Sequence, residues 1–129
     1  VNSDGGFYDW YTATAGTGTR SLSTDGQNTT ASICPKGWRL PTSGNNGEFK
    51  ILYDNYNSPS ARRSSPVNLT LSGYVSSSWH HNQGSYGYYW SATVYLSSDA
   101  YGMNLDTSGV NPASRNNKAL GFSVRCIAH

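Results

Sequence analysis

Apolar positions along this chain follow two different periods. Across residues 46–56, Phe49, Leu52, Tyr53 and Tyr56 recur at i, i+3, i+4 and i+7, the stripe of an amphipathic helix. Pro41 ends the element before it, Thr42 or Ser43 can cap it, and Glu48 lies where the helix dipole favours a carboxylate. The other apolar positions alternate. Phe7, Tyr8, Trp10 and Tyr11 read as a short strand with Tyr8 and Trp10 on one face, followed by loop to about Thr30. Residues 57–66 read as a loop exposing Arg62 and Arg63, and residues 76–86 as a second loop. Strands are expected at 69–75, 88–95, 100–105 and 122–127, with Asp106-Thr107-Ser108-Gly109 as a turn. One helix followed by several antiparallel strands gives an α+β fold with the strands towards the C-terminal end.

Composition changes this picture in one respect. Leu, Ile, Val and Phe supply only 20 of 129 residues, a fraction that can signal disorder. Four Trp and ten Tyr offset the shortage, because each aromatic buries roughly 150–250 Å². The chain is therefore read as a single folded domain over residues 1–129 with an aromatic core. A formal charge of +2, with only 12% charged residues, excludes a polybasic nucleic-acid binder. No apolar run reaches the roughly 18–20 residues that cross a bilayer, so direct membrane insertion is not expected.

Cys34 and Cys126 have 91 residues between them and belong to no C-x-x-C motif. They are either two separate buried thiols or a disulfide. The disulfide is the stronger reading, since closing so long a loop stabilises a fold by about 4–5 kcal/mol in the chain-entropy model. It also places the protein in an oxidising, extracellular compartment.

Catalytic chemistry finds little support. His80-His81 point apart in an extended segment and have no third ligand spaced for zinc, so no metal is expected there. G-x-S-x-G, P-loop and dinucleotide fingerprints are absent, and no cofactor is expected. The seven carboxylates show no glycosidase pairing. The segment from Val94 to Lys118 stands apart. It is dense in Tyr, Ser, Asn, Asp and Gly, the composition that antibody paratopes use for adaptable contact at low entropic cost. An ordinary solvent-exposed hairpin would have the same composition.

Three stretches, in order, carry a resemblance. They are Cys34-Pro35-Lys36-Gly37-Trp38-Arg39-Leu40-Pro41-Thr42, Tyr89-Trp90-Ser91-Ala92-Thr93 and Gly121-Phe122-Ser123-Val124-Arg125-Cys126. Together they resemble the Fibrobacter major paralogous domain, a bacterial surface domain of the C-type-lectin-like, formylglycine-generating-enzyme-like fold group. The closing segment also resembles the variable region of proteins diversified by retroelements: Trp90-Ser91-Ala92, then Ala100 to Asp106, then Arg115-Asn116-Asn117-Lys118 follow that layout. In such proteins Asn codons are randomised, and the residues at Tyr95, Leu96, Ser98, Asp99, Gly102, Asn104 and Asp106 fit that outcome.

The resemblance implies a C-type-lectin-like fold with Trp38, Trp90, Phe122 and Val124 as scaffold and a Cys34–Cys126 disulfide. It implies ligand contact by Tyr95, Leu96, Ser98, Asp99, Gly102, Asn104, Asp106, Arg115 and Asn116. Outward side chains over 95–116 are expected to be exposed and little packed, so that Tyr95, Asp99, Asn104 and Asp106 together tolerate alanine. The calcium-lectin motifs E-P-N, Q-P-D and W-N-D are absent, and the only two cysteines match the structural pair rather than an oxidase site. The expected function is a non-enzymatic binding module of a larger bacterial or phage surface protein, engaging a protein or glycan ligand on another cell or surface. The rivals are a structural domain without a ligand and a carbohydrate-active enzyme.

Overall fold

The computed structural model describes residues 6–44, 46–77 and 79–128, and the fold it shows is α+β. Its elements, in chain order, begin with α1 (Trp10–Ala13), β1 (Trp38–Arg39), α2 (Glu48–Asn55) and α3 (Pro59–Arg63). The strands β2 (Tyr74–Ser76), β3 (Trp79–His81), β4 (Gly87–Val94), β5 (Asp99–Leu105), β6 (Val110–Asn117) and β7 (Ile127–Ala128) follow.

The antiparallel sheet β4-β5-β6 divides the molecule into two cores. Successive strand residues face opposite ways, so each strand feeds both. On one face Trp90, Ala92 and Val94 of β4 and Ala100 of β5 meet Trp10, Ala13, Leu40 and Phe122. On the other face Tyr89, Met103 and Leu105 meet Phe49 of α2 and Val67, Leu69 and Leu71 of the following segment. Both large indoles satisfy their N–H groups: Trp10 Nε1 donates to Ser91 O at 2.9 Å and Trp90 Nε1 to Tyr8 O at 2.7 Å. Trp90 stacks on Phe122 with ring centroids 4.3 Å apart. Opposite Trp90, β5 places Gly102, where a Cβ would lie 2.6 Å from Tyr89 O. Only glycine allows the strands to close there.

Both chain-distal segments meet. Tyr8 bridges Phe122, β1 pairs antiparallel with β7, and Cys34 is bonded to Cys126 with Cα atoms 5.8 Å apart, as expected.

The helix expected at 46–56 runs from Glu48 to Asn55 behind an N-cap at Gly47. Thr42 still caps it from six residues away: its Oγ1 accepts from Glu48 N, while its own N–H donates to Glu48 Oε1. The Glu48 carboxylate also takes both guanidinium nitrogens of Arg39, one at 2.6 Å.

Several expectations are corrected. The first aromatic cluster is not a strand. Asp9 Oδ1 accepts from Thr12 N at 2.7 Å and starts α1, which drives Trp10 into the core. Residues 57–66 contain α3, capped by Ser58, and Arg62 is buried rather than exposed, donating to Tyr56 O and lying over the Tyr53 ring. Of the expected strand at 69–75 only Tyr74 and Val75 are in a ladder, and the loop expected at 76–86 contains β3. The expected strand at 122–127 is interrupted, keeping only bridges at 121–123 before β7. Trp38 is not core scaffold but 48% exposed on the two-residue strand β1. The edge strand β6 went unread, because Pro112, Ser114 and three asparagines hide its alternation.

These positions set the energetics. Trp90→Ala should lose about 3–5 kcal/mol in urea unfolding, through the cavity it leaves. Trp38→Ala should lose about 1 kcal/mol or less. Reduction of the disulfide should remove about 4–5 kcal/mol from the wild type, read from the same denaturation curves with and without reductant.

Candidate functional site

The two-sided burial of β5 decides what can be presented. Ala100, Tyr101, Gly102 and Met103 are all buried, so the middle of this strand has no free face. The nine residues expected to contact a ligand are consequently split. Tyr95, Leu96, Ser98, Asp99, Arg115 and Asn116 gather at one end of the sheet, Asn104 and Asp106 at the other. Asp99 and Asn104 are five residues apart on a strand, about 17 Å. Gly102, between them, lies closed in the core and offers no side chain, so it is not available as a ligand contact.

At the first end, the turn 95–99 is held by Tyr95 and Leu96 N–H groups donating to Asp99 O. Leu96 is 37% exposed and Arg115, on β6, is also exposed. The Arg115 guanidinium lies over the Tyr95 ring, 4.4 Å from its centroid, and Tyr95 meets Tyr101 edge-on at 5.5 Å. Ser98 is half-buried, its carbonyl accepting from Lys118 N. Asp99 and Asn116 are half-buried too, and Asn116 Nδ2 donates to Ser114 O.

Arg115 borders a polar cleft of about 660 Å³, also lined by Asp25, Asn28, Thr42, Ser43, Asn46, Thr93 and Tyr101. Its floor is fixed by a relay through Thr93. Ser43 N donates to Thr93 Oγ1 at 2.9 Å, and Thr93 Oγ1 donates to Asn28 Oδ1 at 2.6 Å. Ser43 Oγ reaches across to Pro112 O at 2.6 Å, tying the wall to the edge strand. The Tyr101 hydroxyl donates to Asp25 Oδ1 at 2.8 Å. Burial first, then the Asp25 carboxylate, push that phenol above its ordinary range, while Arg115 opposes them. The arrangement suits a polar ligand that can accept from a guanidinium and exchange hydrogen bonds with hydroxyl and amide groups. Among the described residues neither histidine nor cysteine lines the cleft.

Behind this end sits Lys118, fully buried, although it belongs to the segment read as a paratope. Its Nζ donates to Thr19 O, Leu22 O and Ser97 O at 3.0–3.1 Å and lies 4.7 Å from the Trp10 ring centroid. Burial, followed by repulsion from Arg20, lowers its pKa, and Asp99 opposes the shift.

At the second end Asp106 works for the fold. Its Oδ1 accepts from Ser108 N, Ser108 Oγ and Gly109 N and closes the β5–β6 hairpin, and these bonds hold the carboxyl below its ordinary range. Asn104 is half-buried, and its Oδ1 is enclosed without a hydrogen-bond partner. The four residues expected to be freely exposed, Tyr95, Asp99, Asn104 and Asp106, are thus all half-buried. Sequence reasoning found Arg115 but missed Asp25, Asn28, Ser43 and Thr93. Those residues sit in Gly/Ser/Thr-rich or strand-core sequence, and only tertiary pairing of segment 25–29 with β4 makes them neighbours.

Residues 50–127 match the family model described as Domain of unknown function (DUF8237). Comparison with curated proteins and with solved structures finds no match.

The hairpin and the cleft wall should behave differently when altered. Asp106→Ala should lower Tm measurably, because three donors lose their acceptor, whereas Leu96→Ala and Arg115→Ala should leave Tm nearly unchanged in the same thermal scans. The Glu48 pKa is lowered, chiefly by Arg39 and then by the Thr42 N–H. Its contribution is therefore present above the unfolded-state carboxyl pKa and disappears as pH falls through the lower folded value. The stability difference between wild type and Glu48→Gln should be largest near neutrality and close on acidification, measured by urea unfolding at a series of pH values.

Proposed function

The chain belongs to the DUF8237 family, and we propose that this member is a non-enzymatic binding module of an extracellular surface protein, with a C-type-lectin-like fold. The observation that carries the reading is Arg115 stacked on Tyr95 at the lip of a pre-organised polar cleft. The hydrogen-bond relay through Thr93 holds the cleft walls before any ligand arrives, which reduces the ordering cost of binding.

Further support comes from the scaffold. A disulfide fits an oxidising compartment, and no helix among the described residues is long and apolar enough to cross a membrane. Short helices packed on antiparallel strands, with the two chain-distal segments joined by a bridge and a disulfide, are what the resemblance leads one to expect. The exposed positions Leu96, Arg115 and Asn117 lie on a turn and an edge strand, outside both cores. They can vary without repacking the scaffold, as a retroelement-diversified protein requires. The ligand is a protein or glycan on another surface, and the variable face is narrower than residues 94–118: it is the 95–99 turn, the outward positions of β6 and the cleft.

Arrays of extracellular protein domains and of bacterial and host glycans, probed with wild type, Tyr95→Ala and Arg115→Ala, test this. A ligand retained by wild type should be lost in both variants, while the Tm of Arg115→Ala holds. Retention unchanged in both would overturn the reading. Diversification predicts, in the adjoining DNA, a reverse transcriptase gene and a second copy of the region encoding residues 90–126 with Asn codons at the variable positions.

A further inference from the structure

A second surface is built from different chemistry. Residues 64–98 contain no Asp, Glu, Lys or Arg at all, yet they hold Trp79, His80, His81 and six tyrosines and indoles more. The β2–β3 hairpin pairs Tyr74 with His81 and Ser76 with Trp79, so these four side chains share one face. His80 points the other way, with its Nε2 2.6 Å from Ser72 O and its ring edge-on to Phe7.

On the shared face the rings form a line. Trp79 and His81 are two residues apart on one strand, roughly 7 Å. His81 stacks on Tyr74 with centroids 4.8 Å apart, Tyr74 meets Tyr88 at 5.0 Å, and Tyr88 meets Tyr86 at 6.1 Å. Trp79 at 73% exposure and Tyr86 at 38% leave the two ends of the line open to solvent. The middle is fixed: Asn82 Nδ2 donates to the Tyr88 hydroxyl at 3.1 Å, and Tyr88 and Tyr74 rest on Phe122 of the core. Beyond Tyr86 the line runs into a groove of about 250 Å³ bordered by Asn104, Asp106 and Asn111.

We propose that this aromatic line is a binding site for a neutral polysaccharide, distinct from the Arg115 cleft. Aromatic faces stack on the C–H faces of pyranose rings, and phenol, imidazole and amide groups at the ring edges exchange hydrogen bonds with sugar hydroxyls. A chain of successive ring contacts with solvent-open ends offers stacking partners to an extended chain of repeating units. Residues 64–98 carry no formal charge, and the charged side chain that borders the groove, Asp106, is an anion, which selects among ligands. Single-stranded nucleic acid also stacks on aromatics, but its phosphates need a basic groove that residues 64–98 do not supply. An acidic polysaccharide lacks a counter-charge for the same reason.

Affinity electrophoresis of the whole chain tests the proposal, in gels containing mixed-linkage β-glucan, galactomannan, xylan or soluble starch, with polygalacturonate and single-stranded DNA as controls. At least one neutral polysaccharide should retard the wild type. Trp79→Ala and Tyr86→Ala should each weaken that retardation at least tenfold, Tyr86→Phe should restore it, and Arg115→Ala should match wild type. Failure of every neutral polysaccharide, indifference to Trp79→Ala and Tyr86→Ala, or equal retardation by polygalacturonate or DNA would overturn it. Because Arg115→Ala is read in the same gels, a lost cleft ligand and a lost polysaccharide site remain separable.

Discussion

A buried ammonium with no carboxylate partner in contact among the described residues is the constraint on which the arrangement around the cleft depends. Lys118 is enclosed completely, and an uncompensated charge there would cost several kcal/mol. Compensation comes from three backbone carbonyls, at Thr19, Leu22 and Ser97, and from the face of Trp10. These groups come from three separate parts of the chain. The irregular segment 19–22, the turn before β5 and the first helix must therefore all be in place together, or the cation is left unpaired. This explains how a stretch rich in Gly, Ser and Thr keeps a defined path. It also explains why the wall containing Asp25 and Asn28 stands opposite Arg115, since that wall is the continuation of the segment that Lys118 holds.

The second organising fact is that the central sheet is covered on both faces. A sheet with one wet face could present a broad, flat binding surface from all its strands. Here β5 is committed to packing, and the exposed side chains are displaced to the ends and to the edge strand β6. Pro112 within β6 is compatible with that edge position, where no further strand is paired to it among the described residues. The surface available for variation is thus bounded by the packing and not by the composition of the segment.

How much of this was legible follows from which forces act locally. The stripe Phe49-Leu52-Tyr53-Tyr56 announced α2 because helix periodicity is written in neighbouring residues. The strands β4 and β5 were equally plain. The disulfide was readable because its stabilisation grows with the loop it closes. Trp10 and Tyr8 misled, since alternation over four residues is weaker than one aspartate cap. Lys118 and Arg62 misled for another reason: their burial depends on carbonyls and rings contributed by segments far away or just beyond view. The resemblance made Asp106 a variable position, but its carboxylate closes a hairpin. The cleft was invisible because Asn28 and Thr93 meet only after the fold has formed.

The covalent link between Cys34 and Cys126 has a mechanical consequence. A tension applied along the backbone from both sides cannot lengthen the span between the two cysteines, and is carried instead by the segment that precedes Cys34. That segment contains Asp25 and Asn28 of the cleft and two of the carbonyls on Lys118. Pulling would strip away one wall of the cleft while the aromatic line, which lies wholly inside the closed span, kept its shape. The two proposed contact surfaces would then differ in mechanical endurance: one would yield under load and the other would keep its shape.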